Sequence, residues 1–229
     1  MEAVDLDHIV YPSSDGEPMC DNTLQFEWIV TLKENLDVAL PDFVGGDILW
    51  YPVQGRPDIR RGPDVLVALG RPKGYRGSYM QFREEGVAPH VVMEVLSPKN
   101  TVMEMLGKAS FYLEHGAREF YVVDPDHQRV QVWIQNGGGH QGTEVEDRFT
   151  SPLLGITFDC SDGLKVFHAN GSPFLTFREL SEAASSAAAE RDAAAAERDA
   201  AAAQRDAATA RLARLEQQLK QLGAEPRSK

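Results

Sequence analysis

The chain has 229 residues, 42% of them hydrophobic, and a formal net charge of −12 at pH 7; a globular body with a full core is expected. Cys20 and Cys160 stand far apart with no C-x-x-C and no histidine at ligand spacing, which argues against a zinc cluster or a disulfide framework and fits a reducing cytoplasm. The start, Met1-Glu2-Ala3-Val4-Asp5, is acidic and no apolar run has the length of a signal or spanning helix, so neither secretion nor membrane insertion is expected.

Charge is unevenly spread. Residues 1–178 hold 15 Lys and Arg against 26 Asp and Glu, so the body carries the acidity. Such a body is a poor fit to a nonspecific grip on nucleic acid, which comes from neutralising phosphates. The balance reverses locally between Arg56 and Arg83, where Arg60, Arg61, Arg71, Lys73 and Arg76 also fall. This stretch reads as a phosphate-facing rim or, equally well, as a solvated basic loop.

In chain order, Asn22-Thr23 can cap a segment whose Leu24, Trp28, Ile29, Leu32 and Leu36 recur at helical spacing, with Pro41 just beyond. Strand-like runs follow at 47–53, 63–69 and 90–96. The last two are joined by a Gly, Pro and Arg-rich connection of the length usual for functional loops, expected to border the site. Val102, Met105, Leu106, Ala109, Tyr112 and Leu113 return to helical spacing up to Gly116, and Glu119-Phe120-Tyr121-Val122-Val123 is again a strand, ended by Asp124-Pro125. Strand, helix, strand in this order implies a crossover and some parallel pairing. Shorter antiparallel pieces are expected at 129–135, 144–149, 155–159 and 164–167, with a turn at Gly137-Gly138-Gly139. The body is therefore read as a mixed α/β sheet flanked by helices, over residues 1–178.

Residues 179–229 form the second expected domain. A seven-residue repeat runs through Ala189-Glu190-Arg191-Asp192, Ala196-Glu197-Arg198-Asp199 and Ala203-Gln204-Arg205-Asp206, and Leu212, Leu215, Leu219 and Leu222 continue it one frame over. This is a long helix, read as a coiled coil that joins copies of the chain into a homo-oligomer. A solitary solvated helix is the alternative, because alanine forms helix well and buries little.

The chemistry is expected at two carboxylates. Glu94 lies within the apolar run His90-Val91-Val92-Met93-Glu94-Val95-Leu96, and Asp64 opens Val65-Leu66-Val67-Ala68-Leu69. A lone buried carboxylate costs several kcal/mol, so such a group is neutralised, paired or bound to a cation. If the two lie on neighbouring strands they can reach one hard cation, Mg²⁺ or Mn²⁺, with substrate oxygens completing the shell. Glu104, Lys108 and Tyr112 stack on one face of the next helix, and Lys108 is the basic group placed to stabilise charge growing on a phosphate. Two other readings stand beside this: Pro-Asp is a common turn dipeptide, so Asp64 could simply cap a strand, and Glu94 could form a structural salt bridge with Lys108. Ser97 lacks a Gly-x-Ser-x-Gly context and the histidines form no spaced pair, which leaves nucleophilic hydrolase and zinc chemistry without support.

Pro63-Asp64-Val65, Val92-Met93-Glu94-Val95-Leu96-Ser97-Pro98, Glu104 with Lys108 and Tyr112, and Glu119-Phe120-Tyr121-Val122-Val123-Asp124-Pro125 together resemble the Uma-type restriction endonucleases of the PD-(D/E)XK nuclease superfamily. The resemblance runs from about Asn22 to about Leu175. It implies a restriction-endonuclease-like sheet in which Asp64 and Glu94 hold a divalent ion, with the Val95 carbonyl as a further ligand. The superfamily lysine two positions after the glutamate is replaced here by Leu96, and Lys108 on the following helix takes its place. Gln25 falls where relatives carry histidine or another polar residue.

The expected activity is that of a cytoplasmic, Mg²⁺- or Mn²⁺-dependent endonuclease acting on DNA. Asp64 and Glu94 hold the ion, Lys108 assists, and Arg60, Arg61, Lys73 and Arg76 bind the backbone. The alternative is a nuclease fold that has lost cutting and works as an oligomeric binding or regulatory module, an idea motivated by the acidic body and the missing strand lysine.

Overall fold

The computed structural model describes residues 8–16, 18–136 and 139–221. They form two compact units, one ending at Thr176 and the next beginning at Phe177, whereas the sequence placed the boundary after Arg178. The acidic start Met1–Asp5, the Gly137-Gly138 part of the turn and Leu222 lie outside the described residues.

Helix α1 (Thr23–Ala39) begins where the Asn22 side chain accepts from the Gln25 N–H at 2.8 Å, the usual way of satisfying an orphan donor of the first turn. It stops at Leu40, which is extended because a residue before proline avoids the helical region. Its buried stripe is Gln25, Ile29, Leu32 and Leu36, spaced four, three and four apart so that all point one way.

Six strands form the main sheet: β1 (Asp42–Gly46), β3 (Val65–Pro72), β5 (Val91–Val95), β6 (Glu119–Asp124), β7 (Arg129–Asn136) and β8 (Gly139–Glu144), in the order β1-β3-β5-β6-β7-β8. Of its neighbouring pairs, β5 and β6 alone are parallel, as expected for strands joined through a crossover helix. That helix is α2 (Val102–Glu114), opened by a capping box between Thr101 and Glu104. At its other end Ala117 N–H bonds to Tyr112 C=O and Gly116 N–H to Leu113 C=O. This Schellman arrangement uses the positive φ of 113° at Gly116.

Side-chain alternation divides the core. Val65, Val67, Val91 and Met93 face α1 together with Phe158 and Val166, whereas Leu66, Ala68 and Val92 face α2 with Met105, Tyr112 and Leu113. Two small sheets complete the unit: β2 (Trp50–Tyr51) beside β4 (Tyr79–Met80), and β9 (Arg148–Thr150), β10 (Thr157–Asp159) and β11 (Lys165–Phe167) in the order β11-β10-β9.

The mixed sheet, the crossover and both helices agree with the sequence reading, but three details differ. Residues 144–149 are not one strand: the chain leaves the main sheet at Glu144 and joins the small sheet at Arg148. The run expected at 47–53 is reduced to Trp50–Tyr51. Strands β1 and β8 lack the apolar alternation that signals a strand, because glycine is required within them. A Cβ on Gly45 would stand 2.7 Å from Ile48, and one on Gly142 would collide with the Trp133 indole.

The second unit is α3 (Phe177–Gln221), a continuous helix of 45 residues with none buried among those described. Leu212, Leu215 and Leu219 are 63%, 47% and 50% exposed. Among the described residues no helix is long and apolar enough to cross a membrane.

Candidate active site

The site is built where β5 outruns β3. These strands are antiparallel with Val65 opposite Met93, so continuing the register sets Asp64 opposite Glu94. The same alternation that turns Leu66 and Val92 toward α2 turns both carboxylates toward that face. One step further, Val95 has Pro63 as its nominal partner, and proline carries no N–H. Side chains replace the missing ladder. Asp64 Oδ2 accepts from the Val95 N–H at 2.6 Å, and Gln25 Nε2 donates to the Val95 carbonyl at 2.8 Å. Gln25 Oε1 accepts in turn from the Asp21 N–H at 2.8 Å.

Glu94 is 2% exposed and Asp64 8%. The Tyr112 hydroxyl donates to Glu94 Oε1 at 2.5 Å and the Lys108 ammonium to Oε2 at 2.9 Å. Lys108 and Tyr112 lie four residues apart on α2, one helical turn, which lets both reach the same carboxylate. Asp64 Oδ1 takes no hydrogen bond among the described residues, and Asp64 forms part of a cleft wall.

The electrostatics follow from this crowding. Burial, and next the facing Glu94 charge, push the Asp64 carboxyl well above the usual carboxylate range, although the Val95 N–H pulls the other way. Burial also raises Glu94, against the pull of Lys108 and Tyr112. Burial is the strongest single influence on the Lys108 ammonium and would lower it, but the Glu94 charge and hydrogen bond, with the Asp64 and Glu104 charges, together hold the amine above its ordinary value. Two carboxylates share one ammonium here, which leaves room for a further positive charge.

The donor chemistry suits a hard divalent ion. Mg²⁺ and Mn²⁺ take oxygen ligands, and Mg²⁺ is commonly held by one or two carboxylates with waters and substrate phosphates. Among the described residues no cluster of three or more His, Cys, Asp or Glu side chains is arranged around a metal position, so Asp64 and Glu94 are the anionic pair on offer. Each Glu94 oxygen accepts one hydrogen bond and keeps a lone pair, because a carboxylate has about four such sites. The Val95 carbonyl likewise retains one beside its bond to Gln25.

A cleft of about 730 Å³ opens in front, with Asp64, Lys108, Gln25, Asp47, Arg60 and Arg61 in its wall. The Arg61 guanidinium lies over the Phe111 ring at 5.4 Å, and its backbone exchanges hydrogen bonds with Trp50. Glu104 also borders the cleft, its carboxylate occupied by the Thr101 N–H and by Asn100 in the α2 cap.

Two expected substrate-binding residues lie elsewhere. Lys73 bonds to the Asp37 carbonyl and pairs with its carboxylate at 3.2 Å. Arg76 pairs with Glu84 at 2.6 Å and covers the Phe43 ring at 4.0 Å. The reason is topological and corrects the expectation for the connecting loop. Asp64 precedes β3 and Glu94 lies near the end of β5, so in an antiparallel pair they share one end. The 73–90 connection joins the other two ends.

Three residues of the site carried little or no weight in the sequence. Gln25 falls on the buried stripe of α1, a polar residue at an apolar position, and that was a usable signal. Spacing groups Tyr112 with Lys108, but its bond to Glu94 depends on the tertiary fold. Asp47, read as a strand start, sits in a left-handed conformation with φ 45° and donates its N–H to the Asp64 carbonyl at 3.0 Å. Burial, followed by the Asp15 charge, raises its carboxyl.

Residues 23–162 match the profile of the Uma2 family, described as "Putative restriction endonuclease". The chain belongs to this family. No curated protein matches it. Among solved structures it is similar to a crystal structure titled as a "putative nuclease belonging to DUF820" from Anabaena variabilis, with 15% identity, a TM-score of 0.44, and coverage of 62% of this chain and 79% of that one. The family read from the Pro63-Asp64, Glu94 and Lys108 segments is thus the family found, and of the acidic pair Asp64 lies in the cleft wall while Glu94 is buried behind it.

Proposed function

We propose that this Uma2 protein is a cytoplasmic endonuclease that uses Mg²⁺ or Mn²⁺ to hydrolyse DNA phosphodiester bonds. The observation behind this reading is the convergence of Asp64, Glu94 and Lys108 at one strand end beside the cleft. Asp64 and Glu94 would hold the ion, with the Val95 carbonyl as a third oxygen steered by Gln25. When bound, such an ion supplies Lewis-acid charge stabilisation to phosphoryl transfer. Lys108, already charged and at the cleft wall, stabilises negative charge that grows on the phosphate. Arg60 and Arg61, which also line the cleft, hold the backbone.

The test is nicking of supercoiled plasmid by the purified chain. Cutting should require Mg²⁺ or Mn²⁺, and Asp64→Ala or Glu94→Ala should abolish it. Equal cutting by wild type and both variants would point to a contaminating nuclease and defeat the assignment.

A second reading, a non-cutting nuclease fold that serves as an oligomeric binding or regulatory module, draws on the Lys108 to Glu94 contact, since that ammonium already neutralises one carboxylate. Metal titration separates the two: no binding at millimolar Mn²⁺ favours the module. In either reading we assign self-association of the chain to the exposed Leu212, Leu215 and Leu219 of α3.

A further inference from the structure

We propose that Tyr112 is a positioning residue for the cation site: its hydroxyl fixes the Glu94 carboxylate so that Oε2 can exchange Lys108 for a divalent ion. The inference rests on Asp64 and Glu94 being the cation ligands, and it adds the group that orients one of them.

Tyr112 is 0% exposed. Its ring stacks on Trp50 with centroids 6.0 Å apart and 9° between planes, and tilts against Phe120 at 5.4 Å. A phenylalanine would fill the same space. What tyrosine adds is the hydroxyl, and the partner of that hydroxyl is Glu94 Oε1 at 2.5 Å. The anchor beneath it is firm: Trp50 exchanges backbone hydrogen bonds with Arg61 at 2.8 and 3.3 Å, and its indole N–H donates to Gln81 at 3.1 Å. The phenol is thereby tied to the same wall segment that presents Arg61 to the cleft.

The other contact to Glu94 is of a different kind. Lys108 carries its charge on a flexible four-carbon stem, so its ammonium could leave Oε2 if a divalent ion were held there. Once the ammonium leaves, Tyr112 is the side chain that still holds the carboxylate. Outer partners that orient a metal-binding carboxylate commonly change affinity by about tenfold to hundredfold when removed.

The molecule supplies its own control. The Tyr121 hydroxyl donates to Glu119 at 2.7 Å, but Ser151 Oγ and the Leu153 N–H hold that carboxylate as well, at 2.5 and 2.8 Å. Removing the Tyr121 hydroxyl is a structural change at a buried site outside the wall of the Asp64 cleft.

The experiment is calorimetric titration of the full chain with Mn²⁺, in parallel with plasmid nicking, for wild type, Tyr112→Phe and Tyr121→Phe. Tyr112→Phe should weaken Mn²⁺ binding by about tenfold to hundredfold with a small change in melting temperature. Tyr121→Phe should lower the melting temperature and leave Mn²⁺ affinity unchanged. Mn²⁺ affinity that is the same in wild type and Tyr112→Phe would overturn the proposal, and so would a wild type that binds no Mn²⁺ at millimolar concentration. A wild type that binds Mn²⁺ but cuts no nucleic acid would sink the nuclease reading alone, because the binding comparison still decides the role of Tyr112. Should Tyr112→Phe fail to fold, Trp50→Phe loosens the stack while keeping the hydroxyl. It should weaken Mn²⁺ binding to a smaller degree, and unchanged affinity there would count against the proposal.

Discussion

Glu94 and Glu119 are buried glutamates on neighbouring strands of one sheet, and the sheet treats them differently. Glu119 is 1% exposed at the start of β6, on the α1 side, where two hydroxyls and a backbone N–H answer its oxygens. Its donors are neutral and its place is closed. Glu94, near the end of β5 on the α2 side, has one hydroxyl, one ammonium and a second carboxylate facing it. The first is a buried carboxylate that the fold has satisfied with hydrogen bonds. The second sets two carboxylates against one ammonium, with Asp64 and Lys108 in the wall of a cleft, and that is how a site for a cation differs from a structural polar cluster.

The comparison predicts opposite responses to mutation. Glu119→Ala removes the acceptor for three buried donors and leaves a cavity, and should cost about 3–5 kcal/mol in denaturant unfolding. Asp64→Asn keeps an acceptor for the Val95 N–H and removes a like charge beside Glu94. In metal-free protein it should raise stability by about 0.5–2 kcal/mol while cutting is lost. If both substitutions destabilise the chain to the same degree, the two clusters are of one kind and the contrast fails.

Acidity sharpens the same contrast. Asp64 and Glu94 have folded pKa values above their ordinary 3.8 and 4.5, so the folded chain binds their protons more tightly than the unfolded one does. Their contribution to stability is therefore fully present below those ordinary values and is lost as pH rises through the raised folded values. Metal-free protein should accordingly weaken as pH climbs from about 4 toward neutrality, and Asp64→Asn should flatten the slope. Melting curves at a series of pH values measure this, and an unchanged slope in the variant would remove Asp64 as its source.

The smallest expected effect separates cleft from scaffold among the basic residues. Arg60→Ala and Arg61→Ala should each weaken DNA binding and reduce the slope of log affinity against log salt by about 0.7–0.9, the signature of one lost phosphate contact. Lys73→Ala should leave both unchanged, since its amine is engaged with Asp37. Fluorescence anisotropy with a labelled oligonucleotide, in Ca²⁺ to avoid cutting, reads both quantities.

Much of this was legible in the residues, and what was not has identifiable causes. The helices were readable because their apolar stripes and caps are local, down to Asn22 at one start and Gly116 at one end. The Asp64 and Glu94 convergence was readable because Asp64 opens one apolar run and Glu94 lies within another. Strands β1 and β8 were hidden because Gly45 and Gly142 answer a close approach by residues distant in fold rather than a local preference. Lys73 and Arg76 were assigned to the cleft because a basic stretch reads as continuous in sequence. An antiparallel pair sends its connection to the end away from Asp64 and Glu94, and nothing local in the two apolar runs gives their relative direction. Tyr112 and Gln25 are visible as residues, but their roles depend on which atoms of Glu94 and Val95 they meet across the fold.

Anomalous diffraction from crystals soaked in Mn²⁺ tests the central claim most directly. One strong peak is expected between the Asp64 and Glu94 carboxylates, with the Lys108 amine withdrawn from Glu94 Oε2 and the Tyr112 hydroxyl still on Oε1. Crystals that take up Mn²⁺ elsewhere, or not at all, with Lys108 unmoved on Glu94 would contradict it.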